Sequence, residues 1–411
     1  MTKTTKQSGA RSYLPRLIAW EVTRSCPLAC RHCRASARPG PYPGELSTAE
    51  CRRVLENIVS FARPTMILTG GEPMLRADIY DLAGHAHRLG LPVVMAPCGK
   101  FVDDEAVAKM KKAGIRRISI SIDGATAASH DAFRGIEGAF DFAMRASAAA
   151  RRGGLDFQIN TTVTQHNLAE LPAILDLAVR LGATVFNPFL LVPTGRGKDL
   201  AGQEISPEDY ERTLHWLAAQ EGRTDIRLRV TCAPHYTRIL HQRRPLKTRD
   251  SHLFLGGENG SVAARSGEKR SDPVSVQGSA PFSPECAGPA CAPGDAASVV
   301  PPHTHPGSPP AGGKGCLGGK AFAFISHVGK VQICGFLETE CGDLRRENFD
   351  FRRIWENSSV FLAMRDVDRY HGKCGRCEYR RICGGCRARA FAMTGDYLAE
   401  EPFCIYQPRA K

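Results

Sequence analysis

Along residues 17–191, short runs rich in β-branched and aromatic residues alternate with longer stretches whose apolar residues recur at helical spacing. The short runs predict strands over 17–22, 65–69, 92–96, 117–122, 157–163 and 185–191. The longer stretches predict helices over 48–61, 79–89, 104–112, 139–151 and 168–181, and a sixth over 207–220. Ser47 stands three residues before Glu50, the spacing of a capping box at a helix start. Repeated strand–helix units imply an α/β chain with a parallel sheet and right-handed crossovers. Six units can close partly into a barrel or open into a doubly wound sheet, and the pattern alone does not choose.

The alternation stops near Leu255. Residues 256–315 are rich in Gly, Pro, Ser and Ala and nearly lack large apolar side chains. Such a stretch cannot bury enough surface to offset its ordering entropy, so a largely disordered insertion is expected over 245–315. Cys286, Cys291, His303 and His305 fall inside it and make a weak case for a metal site. From Cys316 onward the chain is dense in cysteine. There, 321–326 and 331–334 read as a β-hairpin turning at Gly329.

Of 411 residues, 42% are hydrophobic and 24% charged, which excludes global disorder. No run reaches the roughly 18 apolar residues of a membrane span. The start, residues 1–16, has no apolar signal region, so a cytoplasmic chain is expected. A reducing compartment argues against disulfides, and the 16 cysteines then point to metal. The net charge of +13 suits nucleic acid, an anionic small molecule, or solubility alone. The chain has no basic tract interleaved with aromatics, so no nucleic-acid partner is expected and an anionic substrate is favoured.

Cys26, Cys30 and Cys33 follow the first strand within eight residues. Three thiolates can wrap one metal centre and leave a coordination position open, and open positions are where metal chemistry occurs. A three-cysteine zinc site is the plainer alternative. Thr69-Gly70-Gly71-Glu72-Pro73 closes the second strand; alone it would be a turn. Cys51 and Cys232 stand apart and read as buried structural cysteines, while Cys98 ends the third strand and stays open.

The Cys-x3-Cys-x2-Cys spacing, followed in order by Gly-Gly-Glu-Pro, resembles the radical S-adenosylmethionine (SAM) enzymes. That resemblance implies a partial (β/α)6 TIM-like barrel over 16–244, after a tail at 1–15. It implies that Cys26, Cys30 and Cys33 bind three irons of a [4Fe–4S] cluster whose fourth iron takes SAM. Reductive cleavage of SAM would then yield a 5′-deoxyadenosyl radical that abstracts hydrogen from substrate. The SAM contacts implied are Gly70, Gly71, Glu72, Pro73, Ser121 and Asp123, with Arg134 and Asn160 weaker candidates. Glu72 reads as motif structure rather than a general base. Relatives often carry Thr-Asn-Gly after the third strand, where this chain has Pro97-Cys98-Gly99.

Cys316, Gly329, Cys334, then Cys374, Cys377, Cys383, Cys386 and finally Cys404 resemble the SPASM extension, a C-terminal domain that carries auxiliary iron–sulfur clusters. It would cover 316–411. The family usually has three residues between the last two cysteines of the middle group, and here there are two. The resemblance implies one or two auxiliary [4Fe–4S] clusters: Cys374, Cys377, Cys383 and Cys404 on one, and Cys316, Cys334, Cys386 and, as the expected fourth, Cys341 on the other. Zinc is the alternative.

The stretch from Arg16 to Cys26 and the run Cys30-Arg-His-Cys33-Arg34-Ala35 are most similar to the heme synthases of the siroheme-dependent pathway. That family converts two propionates of iron-coproporphyrin III to vinyl groups. An anionic tetrapyrrole and a low-potential electron donor are the partners implied. Arg196, Lys198, Arg227 and Arg229 are candidate carboxylate contacts, each against a default of solvated charge, and His32 reads as packing. Rival readings are the d1-heme type of propionate removal, a peptide maturase, and a non-enzymatic zinc or iron–sulfur scaffold.

Overall fold

The computed structural model describes residues 13–243 and 315–409. Most of the expected insertion, with Cys286, Cys291, His303 and His305, lies outside the described residues. Seven strands run parallel and lie side by side in chain order: β1 (Leu17–Thr23), β2 (Thr65–Gly70), β3 (Val93–Met95), β4 (Ile115–Ser121), β5 (Asp156–Val163), β6 (Val185–Leu190) and β7 (Arg227–Leu228). Between them run α1 (Thr48–Phe61), α2 (Ile79–Arg88), α3 (Asp104–Lys112), α4 (Ala127–Arg134), α5 (Ala139–Arg152), α6 (Leu171–Leu181) and α7 (Pro207–Gln220), and α8 (His235–Gln242) follows β7. A doubly wound sheet would reverse its strand order at a switch point. This one does not, and the open, sequential order is that of a partial barrel.

Strand alternation gives the sheet two faces. In β4, Ile118 and Ile120 are fully buried against the helices. Ser119 and Ser121 point the other way and are only partly covered. Registered neighbours share a face, so Ser121, Asn160 and Asn187 form one polar row, and Ser119, Gln158, Val185 and Arg227 form another. The helix-side face is a continuous apolar core, and the concave face, the lumen, is polar along β4 and β5 and apolar at Ala19, Ile67 and Val94.

The C-terminal segment extends the opposite edge. β8 (Phe322–Ile325) pairs parallel to β1, and β9 (Lys330–Cys334) and β10 (Leu337–Asp343) follow antiparallel. The hairpin expected at 321–334 is β8–β9, with Gly329 at φ +88° in its turn. Helices α9 (Phe351–Asn357), α10 (Ser359–Arg365), α11 (Gly372–Arg376) and α12 (Arg387–Thr394) complete the described chain. The capping box at Ser47 is formed, its side chain accepting from the Glu50 N–H while the Glu50 carboxylate accepts from the Ser47 N–H. No described helix is long and apolar enough to cross a membrane.

Candidate active site and cysteine clusters

The loop after β1 turns back on itself, with the Cys26 N–H donating to the Arg38 carbonyl. It brings Cys26, Cys30 and Cys33 into one apolar pocket with Leu28, Ala35, Ala37 and Cys98. Each of the three sulfurs accepts one hydrogen bond: Cys26 from the Leu28 N–H at 3.4 Å, Cys33 from the Ala37 N–H at 3.4 Å, and Cys30 from Arg134 Nη1 at 3.7 Å. Donors of this kind stabilise negative charge on sulfur. Burial pushes the Cys26 thiol up to about 11, so the pocket favours a thiolate only when a cation partners it.

The end of β2 supports this loop by backbone contact. The Gly71 N–H donates to the Thr23 carbonyl and the Glu72 N–H to the Ser25 carbonyl. A Cβ on Gly70 would sit 2.0 Å from the Thr23 oxygen, and one on Gly71 2.4 Å from the Arg24 and Ser25 oxygens. Only glycine allows the approach. Glu72 is fully buried, one oxygen accepting from the Met74 N–H and the other from the Cys98 N–H. Both carboxylate oxygens are therefore used in holding the Gly-Gly-Glu-Pro turn to the loop after β3. Pro73 is buried at the start of a short 3-10 turn.

Asp123 and Arg134 form the opposite wall. Asp123 is buried; one oxygen accepts from the Thr162 N–H at 2.6 Å and the other from Arg134 Nε at 2.9 Å. Burial alone would raise the Asp123 carboxyl; the charge of Arg134, together with His32, His130 and the Thr162 N–H, outweighs it and holds the group low. Arg134 is itself buried and reaches Cys30, so it is no surface arginine. His32 stacks on Phe133 at 4.8 Å between ring centres, and burial lowers its imidazole to about 4, in keeping with a packing role. Ser121 and Asn160 lie on the lumen face, where Asn160 Oδ1 accepts from Gln158 and Asn187.

Arg196 is a brace for the cysteine loop rather than a free cation. Its Nε donates to the Cys30 carbonyl at 2.9 Å and Nη1 to the Ala37 carbonyl at 2.6 Å. Lys198 is exposed. Arg227 and Arg229 alternate with the buried Leu228 and so share the lumen face. Burial and the nearby charges of Arg227 and Arg117 lower the Arg229 guanidinium, a sign that three cations crowd one region of the lumen.

The C-terminal cysteines fall into two groups. Cys374, Cys377, Cys383 and Cys404 line one cavity, together with His235, Arg238 and Lys373. In the second group, Cys316 and Cys334 lie near enough to Cys386 for each thiolate to raise the next. Cys341 is not among them. It lies in β10 beside Ser358 and Arg365, its thiol directed to the Thr339 carbonyl. Beside Cys386 and Cys334 lies Cys232 instead, and the closeness of Cys232 and Cys386 pushes the Cys232 thiol up and the Cys386 thiol down. From the sequence Cys232 stands apart and reads as a buried structural cysteine. Its one local signal is backbone: φ is +61°, rare for a non-glycine residue and frequent where function sets the geometry.

Arg389 of α12, fully buried, ties this second group to the barrel. It donates to the Leu191 carbonyl at 2.7 Å, the Cys232 carbonyl at 3.1 Å and the Tyr210 hydroxyl at 3.2 Å. Among the described residues no three His, Cys, Asp or Glu side chains converge on a single metal ion. Three sulfurs with N–H donors in an apolar pocket, and four thiols around a cavity, fit iron–sulfur clusters.

Residues 20–178 match the Radical SAM superfamily. The chain is 44% identical over 394 residues to the AdoMet-dependent heme synthase of Nitratidesulfovibrio vulgaris, covering 96% of this chain and 93% of that one. It is 41% identical over 402 residues to the AdoMet-dependent heme synthase of Methanosarcina barkeri, covering 98% and 99%. Among solved structures, Streptococcus suis SuiB bound to S-adenosylmethionine matches with a TM-score of 0.65 at 13% identity, covering 96% of this chain and 78% of that one, a likeness of fold.

Proposed function

This chain belongs to the AdoMet-dependent heme synthases of the radical SAM superfamily, and from that premise we propose that it converts two propionates of iron-coproporphyrin III to vinyl groups. It is a radical SAM enzyme with a [4Fe–4S] cluster and SAM as cofactors, and it acts on a tetrapyrrole. Cys26, Cys30 and Cys33 would hold the cluster that binds SAM. Cys374, Cys377, Cys383 and Cys404 would hold one auxiliary cluster, and Cys232, Cys316, Cys334 and Cys386 a second. When bound, the first cluster and SAM supply a hydrogen-atom acceptor, and the auxiliary clusters supply an electron acceptor.

For each propionate the balance is loss of CO2, one hydrogen atom from the β-carbon and one electron, which leaves a vinyl group. The chain's own residues have three tasks. Gly70, Gly71 and Glu72 fix the cysteine loop against β2, with Arg134 and Arg196 bracing it from the far side. The polar row Ser121, Asn160 and Asn187 offers hydrogen bonds at the lumen wall. Arg227 and Arg229 supply positive charge for a substrate with four carboxylates, and charge-assisted pairs with arginine are the strong ones. The observation that carries the reading is the near-full-length identity to heme synthases, with the cysteine loop intact and buried at the strand ends where α/β barrels place their sites.

The test is anaerobic turnover of reconstituted protein with SAM, a low-potential reductant and iron-coproporphyrin III, followed by mass spectrometry. Two successive losses of CO2 with two hydrogens each, alongside 5′-deoxyadenosine, is the expected result. 5′-Deoxyadenosine with untouched porphyrin would keep the radical chemistry and overturn the substrate.

A further inference from the structure

His235 opens α8 and is fully buried, yet neither ring nitrogen has a hydrogen-bond partner among the described residues. A buried polar atom without a partner costs about 1–3 kcal/mol, so one in a native fold calls for a missing partner. The ring lines the cavity that Cys374, Cys377, Cys383 and Cys404 surround. Its neighbour Tyr210 meets it edge-on at 5.1 Å, with its hydroxyl donating to the Cys232 carbonyl and accepting from Arg389 Nη1. An imidazole carries at least one N–H in every protonation state.

The same sulfurs already draw donors. Cys374 Sγ accepts from the Glu401 N–H at 3.4 Å and from Arg387 Nη2 at 3.6 Å, and Cys383 Sγ accepts from the Gly385 N–H at 3.5 Å. Hydrogen bonds to cluster sulfurs stabilise the more negative, reduced state and so raise the reduction potential. We propose that His235 donates a hydrogen bond to a sulfur of the cluster held by these four cysteines and thereby raises its potential. His235 is then a positioning residue for electron acceptance, with no part in hydrogen abstraction. The inference rests on the four-cysteine reading of this cavity.

The test uses the reconstituted holoenzyme, with His235→Leu, which cannot donate, and His235→Gln, which can. Redox titration followed by electron paramagnetic resonance should give a more negative midpoint for the C-terminal cluster in His235→Leu, with His235→Gln nearer the parent protein. Parent protein labelled with 15N-histidine should show a histidine nitrogen coupled to a reduced-cluster signal that added SAM leaves unchanged. That last condition separates His235 from His32 beside the first cluster. Equal midpoints for parent and His235→Leu, or no histidine coupling in the labelled parent, would overturn the proposal. Iron analysis of Cys377→Ala separates the two levels. Unchanged iron would sink the four-cysteine reading itself, whereas loss of about four irons per chain with equal midpoints would sink only the role of His235.

Discussion

Single residues here act through what they hold. Glu21 in β1 is fully buried, with His327 from the β8–β9 turn 2.7 Å from one oxygen and Arg34 of the cysteine loop 3.2 Å from the other. Burial would raise its carboxyl, but the His327 ring nitrogen beside it and the charges of Arg34 and Arg24 outweigh this and hold it down to about 2. A depressed carboxyl adds stability above its unfolded pKa and loses it as pH falls through the folded one. The fold should therefore weaken between about pH 4.5 and 2, by an amount on the order of 3 kcal/mol from this group. Denaturant midpoints measured against pH should show that slope, and Glu21→Gln should flatten it. Arg134→Leu would strand the buried Asp123 charge; a loss of about 3–5 kcal/mol in urea unfolding is expected, with a smaller loss for Arg134→Lys. Cys232→Ser should remove the iron of the second auxiliary group, whereas Cys341→Ser should keep it, as iron and sulfide analysis would show.

At the scale of elements, the cysteine loop is shaped by its neighbours as much as by its own residues. Gly71→Ala would push a Cβ into the Arg24 and Ser25 carbonyls. It should cut SAM affinity at least tenfold, measured by equilibrium binding, while leaving the auxiliary iron in place. Helices α1, α3 and α7 begin and end where the apolar spacing predicts, and the structure caps them with the side chains of Ser47, Asp103 and Ser206. Other elements were not readable in advance. α4 carries Ser, His and Asp, weak helix formers, and is held by its Thr126 cap and by the bonds of Asp123 and Arg134. β7 has two residues, too few for any period, and exists because β6 offers it a free edge.

On the scale of the whole molecule, the barrel and the cysteine-rich segment share one sheet, β10-β9-β8-β1 continuing into β2 through β7. Glu21, against His327, and Arg389 carry buried charge to that junction, so changes in the C-terminal segment should reach the cysteine loop. From its composition, 245–315 is expected to add nothing to this core. Removal of residues 259–310 should leave iron content and turnover intact, and loss of either would show that the segment is part of the working fold.

The sequence by itself determined the α/β alternation, the three-cysteine loop, the glycine turn that follows it and the C-terminal cysteine spacing. These are local, set by hydrophobic period and by residue types a few positions apart. Partners far apart in sequence were decided only by tertiary structure. Cys232 joins Cys316, Cys334 and Cys386 across the insertion, Cys341 is left aside, Arg196 turns to the loop carbonyls, and His235 comes to the wall of the four-cysteine cavity. Spacing along a chain carries no information about which strand ends meet, and strand pairing settles that only when the sheet forms.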